Sequence, residues 1–242
     1  MITMKGVKKY YGATQALDIA GLEIAKGDVA VFCGPSGSGK TTAIKTLNRL
    51  EPIQAGSIEI GGRPIGSYST KELSTKVGFV SQKFDLFPNF SVLENVGVAK
   101  RVVLGRHAKE AARIALDYLD KVGMASFADK KPGQLSGGQQ QRVAIARALA
   151  MTPEVVLFDE PTASLDPENV KSSLRLLEGL AKGGTTMVVV THEMSFAKRV
   201  SNRIVFFEKG GVVLEDSPTE EFFKQPRTAR AREFLDCLNL EA

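Results

Sequence analysis

Apolar positions along this chain follow two periods. Asp28 to Gly34 (DVAVFCG) is a continuous apolar run ending in glycine, the pattern of a strand buried on both faces that opens into a loop. Val77 to Val80, Val155 to Phe158 and Thr185 to Val190 (TTMVVV) are runs of the same type, and Ser57 to Ile60 reads as a further strand. Met1 to Lys26 alternates loosely between turn glycines and predicts short strands. Ile204 to Phe207 and Gly211 to Leu214 can pair across the turn EKGG. Between these runs the period lengthens. Lys40 to Leu50 predicts a helix stopped near Pro52. HAKEAARIALDYLDKVG carries Ile114, Tyr118, Leu119 and Val122 on one face, with Gly123 as its cap. A helix opens in LSGGQQQR and stops before Pro153; another is capped by Asp166, begins at Pro167 and runs to about Leu180. A short helix over Ser195 to Val200 and a helical C-terminal end complete the pattern. Strands alternating with helices predict an α/β fold around a largely parallel sheet. The stretch 84–149 is mostly helical and reads as a subdomain inserted into it.

Composition narrows this only a little. A length of 242 residues suits one large domain or two modest ones. With 43% hydrophobic and 24% charged residues the chain falls among soluble globular proteins. No apolar stretch approaches the roughly 18 residues of a membrane span, and the start MITMKGVKKYYG has no apolar run, so no secretory signal is expected. Two cysteines make no disulfide framework; Cys33, inside VAVFC, reads as a small buried residue, and the cytoplasm is the default compartment. The net charge of +5 suits anionic ligands or the cytoplasmic face of a membrane. It equally suits a solvated basic surface.

The candidate chemistry starts where the first buried run ends. Gly34-Pro35-Ser36-Gly37-Ser38-Gly39-Lys40-Thr41, followed by Thr42, matches the phosphate-loop pattern in full, with an apolar strand before it and a helix after it. Its glycines permit a backbone that bares a row of N–H groups to phosphates, Lys40 would reach the outer phosphates, and the Thr41 hydroxyl would ligate Mg²⁺. A triphosphate site also needs an acidic element. VVLFDE supplies one: Asp159 emerges at the end of a strand, where it can hold the Mg²⁺ shell, and Glu160 follows, placed to polarise an attacking water. His192 ends the strand TMVVVTH and Gln82 follows VGFVS, so both are expected at the carboxyl edge of the sheet, where open α/β sheets bind ligands. The imidazole could meet a terminal phosphate, and the amide the metal or the water. Leu135 to Leu149 (LSGGQQQRVAIARAL) then presents a second anion-binding helix start, with Ser136 as polar cap and Gly137, Gly138 and Gln139 in the first turn.

Together GPSGSGKT, Gln82, LSGGQQQR, VVLFDEPTASLD and His192 stand in the order and spacing of the ATP-binding subunits of ABC transporters, which the chain resembles over essentially its whole length. The LSGGQ segment is the most specific part. The resemblance implies a P-loop NTPase (RecA-like) core, an N-terminal antiparallel β subdomain, the inserted helical subdomain, and a single ABC ATPase domain over 1–242. It also implies why two phosphate-binding elements coexist. In this family two subunits pack head-to-tail around two ATP molecules, and the LSGGQ helix start of one covers the nucleotide held by the phosphate loop of the other. Ser136 and the N–H groups of Gly137 and Gly138 would then contact the γ-phosphate, beside Gln139. Tyr11 resembles the aromatic that stacks on adenine, with the adjacent Tyr10 as the one-residue alternative. Glu160 resembles the catalytic glutamate and His192 the switch histidine. Ser164-Leu165-Asp166 resembles the loop crossing the dimer interface, where Asp166 can also cap its helix.

The segment QKFDLFPNFSVLENV and the ending from THEMSFAKRV onward are similar to polar amino-acid importers. That resemblance implies a homodimer peripheral to the cytoplasmic side of the membrane, integral permease subunits as partners, an extracytoplasmic solute-binding protein acting through them, and no nucleic acid. Phe84, Leu86, Phe87 and Phe90 would line a groove for a permease helix or belong to the helical core. Other classes fit less well. A GTPase would show an N-K-x-D base reader and this chain has none; neither a GTPase nor a small-molecule kinase explains LSGGQ; chromosome-structure ATPases need long heptad arrays. The alternatives that keep the chemistry are the motor of an exporter or of another solute importer and, further off, a non-transport ABC ATPase.

Overall fold

The computed structural model describes residues 1–238; the part of the expected C-terminal helix over 239–242 lies outside them. In chain order the elements are β1 (Ile2–Tyr11), β2 (Thr14–Ile24), β3 (Val29–Cys33), α1 (Lys40–Leu47), β4 (Ala55–Ile60), β5 (Arg63–Pro64), α2 (Thr70–Lys76), β6 (Val77–Val80) and α3 (Val92–Val102). There follow α4 (Ala108–Lys121), α5 (Gly137–Ala150), β7 (Val155–Asp159), α6 (Pro167–Lys182), β8 (Met187–Val190), α7 (Met194–Val200), β9 (Arg203–Glu208), β10 (Val212–Pro218), α8 (Thr219–Lys224) and α9 (Ala229–Cys237). Residues 74–180 form one compact unit, and residues 1–73 together with 181–238 form another.

The first unit is a mixed sheet ordered β5-β4-β1-β2-β10-β9-β3-β8. Its antiparallel part is the β1–β2 hairpin with β4 along the other edge of β1. Its parallel part centres on β3, flanked by β8 and β9. Every residue of β3 and β8 is buried, which is why these strands read as unbroken apolar runs while β1 and β2 alternate. The expected hairpin near EKGG is present as antiparallel β9 and β10. Phe32 and Phe207 meet with ring centroids 5.0 Å apart, and Phe206 lies between Phe222 and Phe234. Several expected bounds shift, the helix expected to end near Leu180 reaching Lys182 and the strand expected to end at Leu214 reaching Pro218. The strand expected at Ser57 begins at Ala55, that expected at Thr185 begins at Met187, and the helix expected to Leu50 ends at Leu47. There the chain turns through Arg49 at φ 60°, whose guanidinium donates to the carbonyls of Ile65 and Tyr68. The C-terminal end is two helices, because buried Glu215 accepts the N–H groups of Arg227 and Thr228 and holds the break between them.

The second unit pairs β6 and β7 in parallel and packs α3, α4 and α5 against one another. α3 was not expected, although its start carries a capping box: Ser91 accepts the N–H of Glu94, and Glu94 accepts that of Ser91. The expected apolar face of α4 is rotated. Leu119 and Val122 are buried, but Ala111 and Ala115 fill the face where Ile114 and Tyr118 were expected, and those two are only half-buried. Gly97 of α3 explains this: a Cβ there would lie 3.4 Å from the Ala111 carbonyl oxygen, so small residues let the two helices approach. Gly123 does end the helix, at φ 71° with its N–H on the Asp120 carbonyl.

Candidate functional site

In the first unit, β3 delivers the chain into Gly34 with no Cβ to spare. At φ 135° a Cβ on Gly34 would lie 2.1 Å from the Phe207 carbonyl oxygen, and one on Gly39, at φ 90°, would lie 2.3 Å from that of Ala16. Gly37, at φ 75°, is in open space. Three positive-φ glycines around Pro35, Ser36 and buried Ser38 therefore wrap the loop into the start of α1. The N–H of Ala43 closes the first helical bond on Gly39. Lys40 is nearly buried and folds back over the loop, donating to the carbonyls of Gly34 at 2.9 Å and Pro35 at 2.8 Å and to Ser38 Oγ at 3.2 Å. Thr41 and Thr42, half-buried, stand on the first turn of α1. A cradle of N–H groups with one ammonium is suited to a polyphosphate.

Register brings His192 to the same edge. Phe32 pairs with Val190, so two residues further on Gly34 and His192 leave adjacent parallel strands at one level. His192 is exposed, and its carbonyl accepts the N–H of Met194. At the β1–β2 turn the two tyrosines differ. Tyr10 is half-buried, its hydroxyl bonded to Gln15 and its backbone gripped on both polar atoms by the Gln54 amide. Tyr11 is 48% exposed. Lys9 Nζ lies 4.8 Å from its ring centroid and 3.1 Å from the Glu51 carboxylate. The Lys9 ammonium, with the Tyr11 hydroxyl, holds Glu51 below the usual carboxylate range. Lys9 was not singled out from the sequence; the signal available was its position two residues before Tyr11, across the irregularity of β1 between Lys9 and Tyr10.

In the second unit β7 ends on Asp159, which is 4% exposed, and Glu160 follows half-buried at φ 45°. Val80 pairs with Phe158, so Gln82 and Glu160 again leave adjacent parallel strands at one level. Gln82 is exposed, and its carbonyl accepts the Ser164 hydroxyl at 3.2 Å. The Ser136 helix start has the expected cap: Ser136 Oγ accepts the N–H of Gln139, and the Gln139 side chain accepts that of Ser136. Gly137 and Gly138 occupy the first turn, and a Cβ on Gly138 would strike Asn169 of α6 at 2.7 Å. Asp166 is exposed, and its carbonyl accepts the N–H groups of Asn169 and Val170. Of the candidate groove residues, Phe84 is buried, while Phe87 is 47% exposed and sits 5.3 Å from Phe90. Arg147 of α5, also not singled out, donates to the carbonyls of Phe84 and Asp85, both at positive φ. Burial lowers its pKa.

Among known proteins, the ABC transporter family profile matches residues 17–163. The chain belongs to the ABC transporter ATP-binding family. Members of this family are ATPase cassettes, and the α/β architecture above is theirs. The chain is 51% identical to the glutamate/aspartate import ATP-binding protein GltL of Escherichia coli (strain K12), over 97% of its own length and 98% of the relative's. It is 49% identical to the glutamine transport ATP-binding protein GlnQ of Bacillus subtilis (strain 168), with the same coverage. A solved ATP-binding cassette, dimeric and bound to ADP and Pi in a post-hydrolysis state, superposes with a TM-score of 0.78 at 36% identity, over 90% of this chain and 99% of the other. This ABC ATPase binds ATP, and among its described residues no helix is long and apolar enough to cross a membrane.

Proposed function

We propose that this ABC ATPase powers the import of polar amino acids, acidic residues or their amides, by closing as a head-to-tail homodimer around two ATP molecules and driving a membrane permease. The observation that supports this most is the near-full-length similarity, at about half identity, to relatives named as glutamate, aspartate and glutamine import subunits. The proposal takes 1–242 as one ABC ATPase domain with a helical subdomain over 84–149.

On this reading the first unit binds nucleotide. Tyr11 stacks on adenine, the N–H groups from Gly34 to Thr42 and the Lys40 ammonium hold the phosphates, and His192 meets the γ-phosphate. The second unit carries Gln82, Asp159 and Glu160. The Thr41 hydroxyl and the Asp159 carboxylate, with Gln82, are the hard oxygen donors suited to Mg²⁺, which would neutralise charge on the phosphates. Glu160 orients and deprotonates the attacking water. Ser136, Gly137, Gly138 and Gln139 cover the partner's γ-phosphate, and Asp166 lies at the dimer seam. Loss of that phosphate removes donors' targets where negative charge was concentrated, so hydrolysis opens the dimer. A groove in the second unit lined by Phe87, Val98, Val102 and Met151 presents apolar surface, with Val102 71% exposed, and is the proposed seat of the permease. The chain would work at the cytoplasmic side of the membrane, with a solute-binding protein acting through the permease.

The test is capture of the tagged chain from detergent-solubilised membranes of its own cells. A co-purifying polytopic permease whose uptake of glutamate, aspartate or glutamine stops when this chain is deleted is the expected result. Recovery only from the soluble fraction, with ribosomes or DNA, would overturn the transport assignment.

A further inference from the structure

Gln141 lies on α5, two residues past the cap formed by Ser136 and Gln139, and is fully buried. Its amide has two partners whose chemistry fixes its orientation. Nε2 donates to the carbonyl oxygen of Pro161 at 2.6 Å; a carbonyl only accepts, so the nitrogen must face it. Oε1 accepts the hydroxyl of buried Ser173 on α6. Val143, Ala144, Ile145 and Ala146 bury beside it on the same helix, and an amide in such surroundings is costly unless both ends are bonded. The position thus uses a polar group where packing alone would take an apolar one.

The bond ends one residue after Glu160. Glu160 has φ 45°, a left-handed backbone that a residue with a Cβ holds only when its surroundings impose it. Pro161 has no N–H and a fixed φ, so its carbonyl is the polar handle by which this turn can be gripped. The turn closes from the other side through the Ala163 N–H on the Glu160 carbonyl at 3.1 Å.

We propose that Gln141 is a positioning residue for Glu160. By holding the Pro161 carbonyl against α5, it fixes the backbone from which the Glu160 carboxylate projects, and it ties that carboxylate to the Ser136 helix start of the same subunit. Movement of that helix start on its partner's nucleotide is thereby transmitted to the subunit's own carboxylate. The inference rests on the reading of Glu160 as the group that activates water.

Three variants test it: Gln141→Met, which keeps length and loses the donor; Ser173→Ala, a milder change that frees the far end of the amide; and Glu160→Gln as control. Gln141→Met lowers kcat by about 10- to 100-fold, the scale of a misplaced reacting group, with KM for ATP little changed. Ser173→Ala moves kcat in the same direction by less. Combined with Glu160→Gln, Gln141→Met leaves ATP-dependent dimer formation intact, because the dimer face does not need the carboxylate. Loss falling on KM and on dimer formation instead would make Gln141 a support for the Ser136 helix start and overturn the proposal. Unchanged kcat beside an inactive Glu160→Gln would overturn it as well. A Glu160→Gln variant that hydrolyses ATP normally would remove the underlying reading of Glu160 and the inference with it. Should Gln141→Met fail to fold, Ser173→Ala decides between the same outcomes.

Discussion

Replacing Gly34 by alanine tests the phosphate loop at its tightest point. The new Cβ would lie 2.1 Å from the Phe207 carbonyl oxygen, 3.0 Å from its carbonyl carbon and 3.3 Å from its nitrogen. Relief needs a shift of about 1 Å, since carbon–oxygen contacts settle near van der Waals distance. Phe207 cannot supply that shift cheaply. It belongs to β9, hydrogen-bonded to β3 on one side and to β10 on the other, and its ring packs on Phe32 at 5.0 Å. The backbone angle adds to the cost, because φ 135° is a region alanine rarely adopts. Strain of about 1–3 kcal/mol and overpacking of about 1–3 kcal/mol give a destabilisation of about 2–6 kcal/mol. Gly37→Ala is the internal comparison: φ is 75° but nothing lies within 4 Å, so the cost is about 1–2 kcal/mol from the left-handed backbone alone. Urea unfolding of both variants, with and without ATP, gives the two numbers. Gly34→Ala is expected to be the less stable and to lose most of the stabilisation by ATP. Equal stability of the two variants, with ATP protection retained in Gly34→Ala, would refute the reasoning.

Glu51→Gln removes the charge partner of nearly buried Lys9; a loss of about 1–2 kcal/mol in urea unfolding is expected, less than for a fully buried pair because Glu51 stays partly solvated. The pH dependence of stability follows from the same carboxylate and from Glu208, which the Lys209 N–H and the Arg230 guanidinium hold below the usual range. A depressed folded pKa contributes stability above the unfolded value of about 4.3 that is lost as pH falls through the folded value, so the urea midpoint should drop below about pH 4 and drop less in Glu51→Gln. Cys33 is buried, which pushes its thiol far up, whereas Cys237 is exposed; a thiol reagent should modify one cysteine quickly and the other only on unfolding, and rapid labelling of both in the native protein would contradict the burial of β3.

The parallel strands were legible because burial on both faces leaves unbroken apolar runs, and GPSGSGKT and LSGGQ because glycine, lysine and a capping serine at fixed spacing have few other uses. What stayed hidden depends on distant parts of the chain. The α4 face was misread because Ala111 and Ala115 carry a weak apolar signal, and only the closeness of Gly97 on α3 shows why small residues belong there. The α3 helix was missed although Ser91 and Glu94 had the spacing of a capping box. Lys9, Gln141 and Arg147 read as strand or helix polar residues. Their partners are a carboxylate at Glu51 and carbonyls at Pro161, Phe84 and Asp85, contacts that no local pattern encodes.

The most direct measurement is the oligomeric state and phosphate release of Glu160→Gln with saturating ATP and Mg²⁺. The expected result is a stable ATP-bound dimer that releases no phosphate, while the unaltered chain hydrolyses ATP and returns to monomer. A variant that stays monomeric, or one that hydrolyses at the rate of the unaltered chain, would contradict it.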